Sequence, residues 1–135
     1  MSKPKEDWFY SAKQAIKNYP ARKAEYDELH KQALAFQMTG VPGGCDISRT
    51  VENIALRQMA PMKQTEYDAV TKAISVTKML PNGDKRVELI ERMYWRGKKT
   101  DMKYIAPIVY AAEATAWRWH GAFVRLVGEF MGYKI

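Results

Sequence analysis

DKRVELIERMYWRGKKTDMKYIAPIVYAAEATAWRWHGAFVRLVGEFMG, from Asp84 to Gly132, is the stretch on which the fold turns. Val87, Ile90 and Tyr94 recur at i, i+3 and i+7 and predict a helix with one buried face. Gly97 ends it, and Lys98 and Lys99 follow in a basic loop. Thr100 or Asp101 can cap a second helix, where a carboxylate also suits the positive helix end. That helix is short. Tyr104, Ile105 and Ile108 are its apolar residues, and Ala106 is small enough for close helix approach. Val109, Tyr110 and Ala111 form a turn. A long final helix then turns Ala112, Ala116, His120 or Trp119, Phe123, Val127 and Phe130 inward. A short helix, a tight turn and a longer helix is the order in which a helix-turn-helix holds a row of side chains against base edges.

On that geometry Glu113, Ala114, Trp117 and Arg118 face outward near the start of the last helix, with Thr115 at the margin. Arg118 can reach guanine O6 and N7 bidentately, or a phosphate, and Glu113 can accept from cytosine N4. Thr115 suits a phosphate or a base edge. Trp117 either packs on sugar-phosphate or belongs to a protein interface. Lys98, Lys99 and Lys103 flank such a duplex and fix register through phosphates. The plainer alternative is the end of a helical bundle whose charges form a solvated face. Two features favour it: the turn has no glycine, and Pro107 removes a backbone donor from the short helix.

The rest of the chain is also helical in period, so the fold class expected is all-α. Trp8, Ala12, Ile16 and Tyr19 share one face of a first helix, which Pro20 is expected to end. Tyr26, Leu29, Ala33 and Phe36 stripe a second helix over 21–38. TGVPGGCDI, Thr39 to Ile47, breaks the pattern as a glycine-rich loop. Ser48 can cap a helix carrying Val51, Ile54, Ala55 and Gln58, and Pro61 interrupts again. Thr65 with Asp68 resembles a capping box for a helix carrying Tyr67, Val70, Ile74 and Thr77. Pro81-Asn82-Gly83 is a turn, and Asp84 is placed to cap the next helix. The expected division is an interaction or dimerisation region over 1–80 and a DNA-binding unit over 84–135. The N-terminal stripes can pack within one chain or between two, and a homodimer is the favoured assembly.

Composition narrows the function. The net charge is +7, which suits an anionic partner. Between Lys85 and Lys103 seven bases face three acids, so much of the excess sits in the expected DNA-binding unit. One cysteine, Cys45, allows no intramolecular disulfide and, with no signal-peptide pattern, fits a cytoplasmic protein. No apolar run approaches the ~20 residues of a membrane helix. One cysteine and two distant histidines, His30 and His120, cannot assemble a zinc site, and Cys45 has no base beside it. Glu25 with Glu28, and Glu88 with Glu91, are spaced as carboxylate pairs, yet nothing completes a nuclease motif around them. No phosphate-cradling GxxxxGK[ST] is present. The expectation is therefore a binding protein without a cofactor, not an enzyme.

Five landmarks in order suggest a family. They are Tyr19-Pro20 ahead of a charged helix, Gly43-Gly44 in the loop, Ser48 followed by Val51-Glu52, the IERMYW segment from Ile90 to Trp95, and Thr115-Ala116-Trp117-Arg118. Spread over most of the chain, they resemble the phage late-gene transcriptional activators of the RinA type and the related ArpU-type regulators. Ala112 departs from the serine that often caps a recognition helix, and Pro107 is unusual. The resemblance implies a C-terminal unit like the fourth region of bacterial sigma factors. It also implies sequence-specific binding to double-stranded DNA upstream of phage late genes and contact with the host RNA polymerase. A DNA-packaging component such as a small terminase subunit also joins a helix-turn-helix to oligomerising helices, but usually carries the DNA unit at its N-terminus. A helical protein-interaction adaptor without nucleic acid is the third reading.

Overall fold

The structure is a computed structural model that describes residues 3–40, 58–96 and 101–135. All regular structure among the described residues is helical. Helix α1 is Lys3–Gly40 and α2 is Pro61–Lys78. Helix α3 is Gly83–Ile90 and continues as a π-helical turn, Glu91–Arg96. Helix α4 is Met102–Ile108 and α5 is Glu113–Phe130. Residues 41–57, with most of the expected loop, Cys45 and nearly all of the helix after Ser48, and residues 97–100, with Lys98, Lys99 and Thr100, lie outside the described residues; Thr39 and Gly40, expected in the loop, are the last residues of α1.

The first departure from expectation is at Pro20. The chain does not break there; α1 runs straight through as one helix of 38 residues. A proline inside a helix leaves the carbonyl four residues back without its donor. Here that carbonyl belongs to Ile16, and the indole Nε1 of Trp95 donates to it at 2.7 Å. A side chain from the π-helical turn thus replaces the missing backbone donor. Around this bond the rings of Trp95, Tyr19, Tyr67 and Tyr26 follow one another, with centroid separations of 5.2, 5.7 and 4.7 Å. Arg22 donates to the buried Glu66 at 3.0 Å beside them, tying α1 to α2.

Helix α2 starts four residues before the expected capping box. Pro61 opens it at a position that needs no N–H, and Thr65 lies a turn inside, donating its hydroxyl back to the Pro61 carbonyl at 3.0 Å. Asn82, in the left-handed region at φ 60°, precedes α3, so Asp84 is a first-turn residue without a capping bond. Gly83 is buried where a Cβ would lie 2.5 Å from the Lys78 carbonyl oxygen, so no other residue fits.

In α4 the buried residues are Met102, Ile105 and Ala106, followed by Val109 in the turn. They form the i, i+3, i+4, i+7 stripe, which puts the expected Tyr104 and Ile108 on the opposite, exposed side. In α5 the buried stripe is Ala116, His120, Phe123, Val124 and Val127. Ala112 only precedes the helix and is exposed. Phe130, the last residue of α5, is also exposed.

One core crosses the boundary expected between 80 and 84. Trp8, Ala12 and Ile16 of α1, Ala69, Val70 and Ala73 of α2, Ile90 of α3 and Phe123, Val124 and Val127 of α5 form a single buried cluster. The first of the two N-terminal stripes that can pair chains is therefore used within one chain. A second cluster joins Leu89 to Met102, Ile105, Ala106, Val109 and Ala116.

Two outcomes are expected. Trp95→Phe leaves the Ile16 carbonyl without a donor and costs about 1–3 kcal/mol in chemical denaturation. In a Pro20→Ala background, where residue 20 supplies its own N–H, the same change costs clearly less; equal costs in both backgrounds count against this role of the indole. A fragment from Asp84 to Ile135 loses the helices that cover Ile90, Phe123, Val124 and Val127, so its circular dichroism is expected to show little helix.

Candidate nucleic-acid interface

The turn between α4 and α5 is built without glycine. Tyr110 takes the left-handed conformation, φ 58°, in which a Cβ costs about 1–2 kcal/mol. Its N–H donates to Pro107 at 3.1 Å and that of Ala111 to Ala106 at 3.0 Å, the paired bonds that close a helix C-terminus. The Tyr110 ring is 84% exposed, with the Lys85 ammonium 5.6 Å from its centroid. Next to Lys85, the Arg86 guanidinium lies 5.5 Å from the Trp119 ring centroid. Two cations of α3 thus lie near the ring of the turn and the Trp119 ring of α5. Pro107 is tolerated because it is exposed, on the same face as Lys103, whose carbonyl it leaves without a donor.

The turn delivers the first residues of α5 to the surface. Glu113, Ala114, Trp117 and Arg118 are exposed and Thr115 is half-buried, the arrangement their spacing predicts. Lys103 is exposed on α4. Successive residues advance about 100° around a helix, so Trp117 and Trp119 lie on opposite sides of Arg118. Trp119 packs against the cluster formed with α4. Trp117, 49% exposed, lies on the side of α1.

Between α1 and this side of α5 is an open groove of about 400 Å³, lined by Lys13, Lys17, Met93, Tyr94, Trp117 and His120. Its floor is polar but neutral. The Tyr94 hydroxyl and His120 Nε2 are hydrogen-bonded at 2.6 Å, with the donor set by the imidazole tautomer. Burial, and then the nearby Lys13 charge, lower the His120 pKa to about 4. Burial raises that of Tyr94 to about 12. Trp117 meets His120 edge-on, 5.6 Å between ring centroids. His120, one of the two residues offered for the inward face, is thus a buried partner of Tyr94. Lys13 and Lys17 were not among the expected site residues. Their i, i+4 spacing reads as an ordinary polar face of α1, and nothing in the sequence tells which helix lies beside it.

The carboxylate pairs are each engaged by a separate partner. Glu88 accepts from Arg92 at 2.8 Å, Glu91 is paired with Arg96 at 3.2 Å and Glu25 with Lys63 at 3.6 Å. Glu28 accepts from Gln32 at 3.3 Å. Among the described residues no group of three His, Cys, Asp or Glu is placed to hold a metal ion, and no helix is long and apolar enough to cross a membrane. No known family model, curated protein or solved structure matches the chain.

The His120 environment predicts an acid-sensitive fold. Its folded pKa of about 4 lies below the 6.5 of the free group, so the unfolded chain binds the extra proton first. Stability is full above pH 6.5 and falls as pH drops toward 4, at up to about 1.4 kcal/mol per unit. His120→Phe is expected to be less stable at neutral pH and to lose this dependence. A variant with an undiminished slope between pH 6.5 and 4 would falsify the assignment.

Proposed function

We propose that this chain is a sequence-specific DNA-binding transcriptional activator of phage late genes, acting by promoter binding and contact with the host RNA polymerase. The observation that carries the DNA-binding part is the exposed start of α5, delivered by a tight turn from the short α4, with Arg118 at the centre of its outward face. The activator part comes from the resemblance to RinA-type regulators. In this reading α5 enters the major groove as the recognition helix. Arg118 reads guanine or holds a phosphate, Glu113 and Thr115 meet neighbouring base edges, and Trp117 packs on the sugar-phosphate wall. Lys103, with Lys98 and Lys99, holds phosphates beside it. The N-terminal helices mediate self-association or touch polymerase, through surfaces other than the stripe already buried in the core.

Selection of bound duplexes from a random pool, followed by run-off transcription from the recovered site, tests the proposal. Enrichment of a defined site and stimulation of transcription from it are expected. Arg118→Ala is expected to weaken binding to that site by about 1–3 kcal/mol and to relax preference at one position. Absence of any enriched site removes the DNA-binding reading. Binding without stimulation turns the assignment toward DNA packaging of the small-terminase kind.

A further inference from the structure

We propose that the groove between α1 and α5 receives a strand of sugar-phosphate backbone, with Lys13 and Lys17 of the N-terminal helix contacting phosphates of the duplex that α5 reads. The inference rests on the DNA-binding proposal and extends it to a helix that the sequence assigned to self-association.

The first argument is placement. A helix with its side chains is about 10–12 Å across and the major groove about 12 Å wide, so a helix seated there has a phosphate strand along each flank. The outward face of α5 is centred on Arg118. Trp119, on one side, packs against the cluster with α4, which exposes Lys103. Trp117, on the other, lines the groove with Lys13 and Lys17. A duplex centred on Arg118 therefore has α4 against one strand and α1 against the other.

The second argument is charge. The groove is lined by two lysines and no acid. Elsewhere on α1 and α2, Lys23 is paired with Asp27, Lys63 with Glu25 and Lys72 with Asp68, while among the described residues Lys31 and Lys78 stand singly without a carboxylate partner. Among the described residues neither Lys13 nor Lys17 has a carboxylate partner, and the Lys13 ammonium lies 5.5 Å from the Phe9 ring centroid. Two cations left without counter-charge, side by side at i and i+4, match successive phosphates. The third argument is the wall. Trp117 is half exposed beside Met93 and Tyr94, an apolar surface suited to the face of a deoxyribose.

The test uses the full chain and a generic duplex, with fluorescence anisotropy over a range of salt. The double variant Lys13→Gln with Lys17→Gln is compared with Lys63→Gln with Lys72→Gln, which removes the same charge from α2. The groove variant is expected to flatten the slope of log affinity against log salt by about 1.8. Raising salt from about 50 to 200 mM then costs the wild type roughly tenfold more affinity than the groove variant. The α2 variant is expected to keep the wild-type slope. If the wild type binds and the groove variant keeps its slope, or both variants flatten it equally, the groove is not a backbone site. If the wild type binds no duplex, the DNA-binding proposal itself fails.

Discussion

A single hydrogen bond, from the Trp95 indole to the Ile16 carbonyl, reconciles a proline with a long continuous helix. Without it, α1 has a buried carbonyl lacking a donor at its midpoint, a defect comparable in size to the loss of a core methylene or two. With it, α1 continues through Pro20 as one helix. Trp8, Ala12 and Ile16 meet α2 and α5, while Tyr19 and Tyr26 stack along Tyr67 of α2. The donor comes from the far end of the sequence, so the longest local element depends on a contact of high sequence separation. The π-helical turn is what makes the donor available. Its wider winding lets two adjacent rings serve different helices, Tyr94 toward His120 of α5 and Trp95 toward Ile16 of α1.

The same arrangement fixes the presentation of α5. Its C-terminal half is locked into the main core through Phe123, Val124 and Val127, and Gly128 brings its backbone close to Trp8. Its N-terminal half projects beyond that core and is steadied by Ala116 in the second cluster, by Arg86 on Trp119 and by the closed turn at Tyr110. A helix anchored at one end and exposed at the other presents its first side chains from a rigid support, which limits the ordering cost of any partner they bind.

Much of this was legible in the sequence, and the failures have physical causes. Helical periodicity gave the all-α class, the buried Val87 and Ile90, and the outward set Glu113, Ala114, Trp117 and Arg118. Local rules failed where a distant residue intervened. Pro20 reads as a helix end because its rescue by Trp95 is 79 residues away along the chain. Tyr110 reads poorly as a left-handed turn residue, and the Lys85 ammonium 5.6 Å from its ring centroid comes from another helix. Val124 lies outside the predicted stripe and is buried because α1 and α2 both pack on α5. Hydrophobicity alone picks out Tyr104, Ile105 and Ile108 as the apolar residues of α4, whereas the buried stripe is Met102, Ile105, Ala106 and Val109. For the groove the sequence held the residues but not their neighbourhood: Lys13 and Trp117 are far apart in the chain and adjacent only because α1 and α5 share a core.

The electrostatics of that groove follow from the neutrality of its floor. Above about pH 4 His120 carries no charge, and the Tyr94 hydroxyl keeps its proton to about pH 12. A protonated histidine there would sit buried close to Lys13, and the repulsion is one cause of its lowered pKa. The positive potential at the mouth is therefore carried by lysine side chains on the surface, where water and salt reach them. Such charges interact with a polyanion mainly by releasing its condensed counterions, which makes the contribution uniform across sequences and sensitive to salt. The buried Tyr94–His120 pair contributes differently, holding Trp117 edge-on so that the wall between the lysines and Arg118 keeps one shape. In the proposed complex, discrimination between sequences then comes from the outward face of α5, and holding the duplex from the flanks.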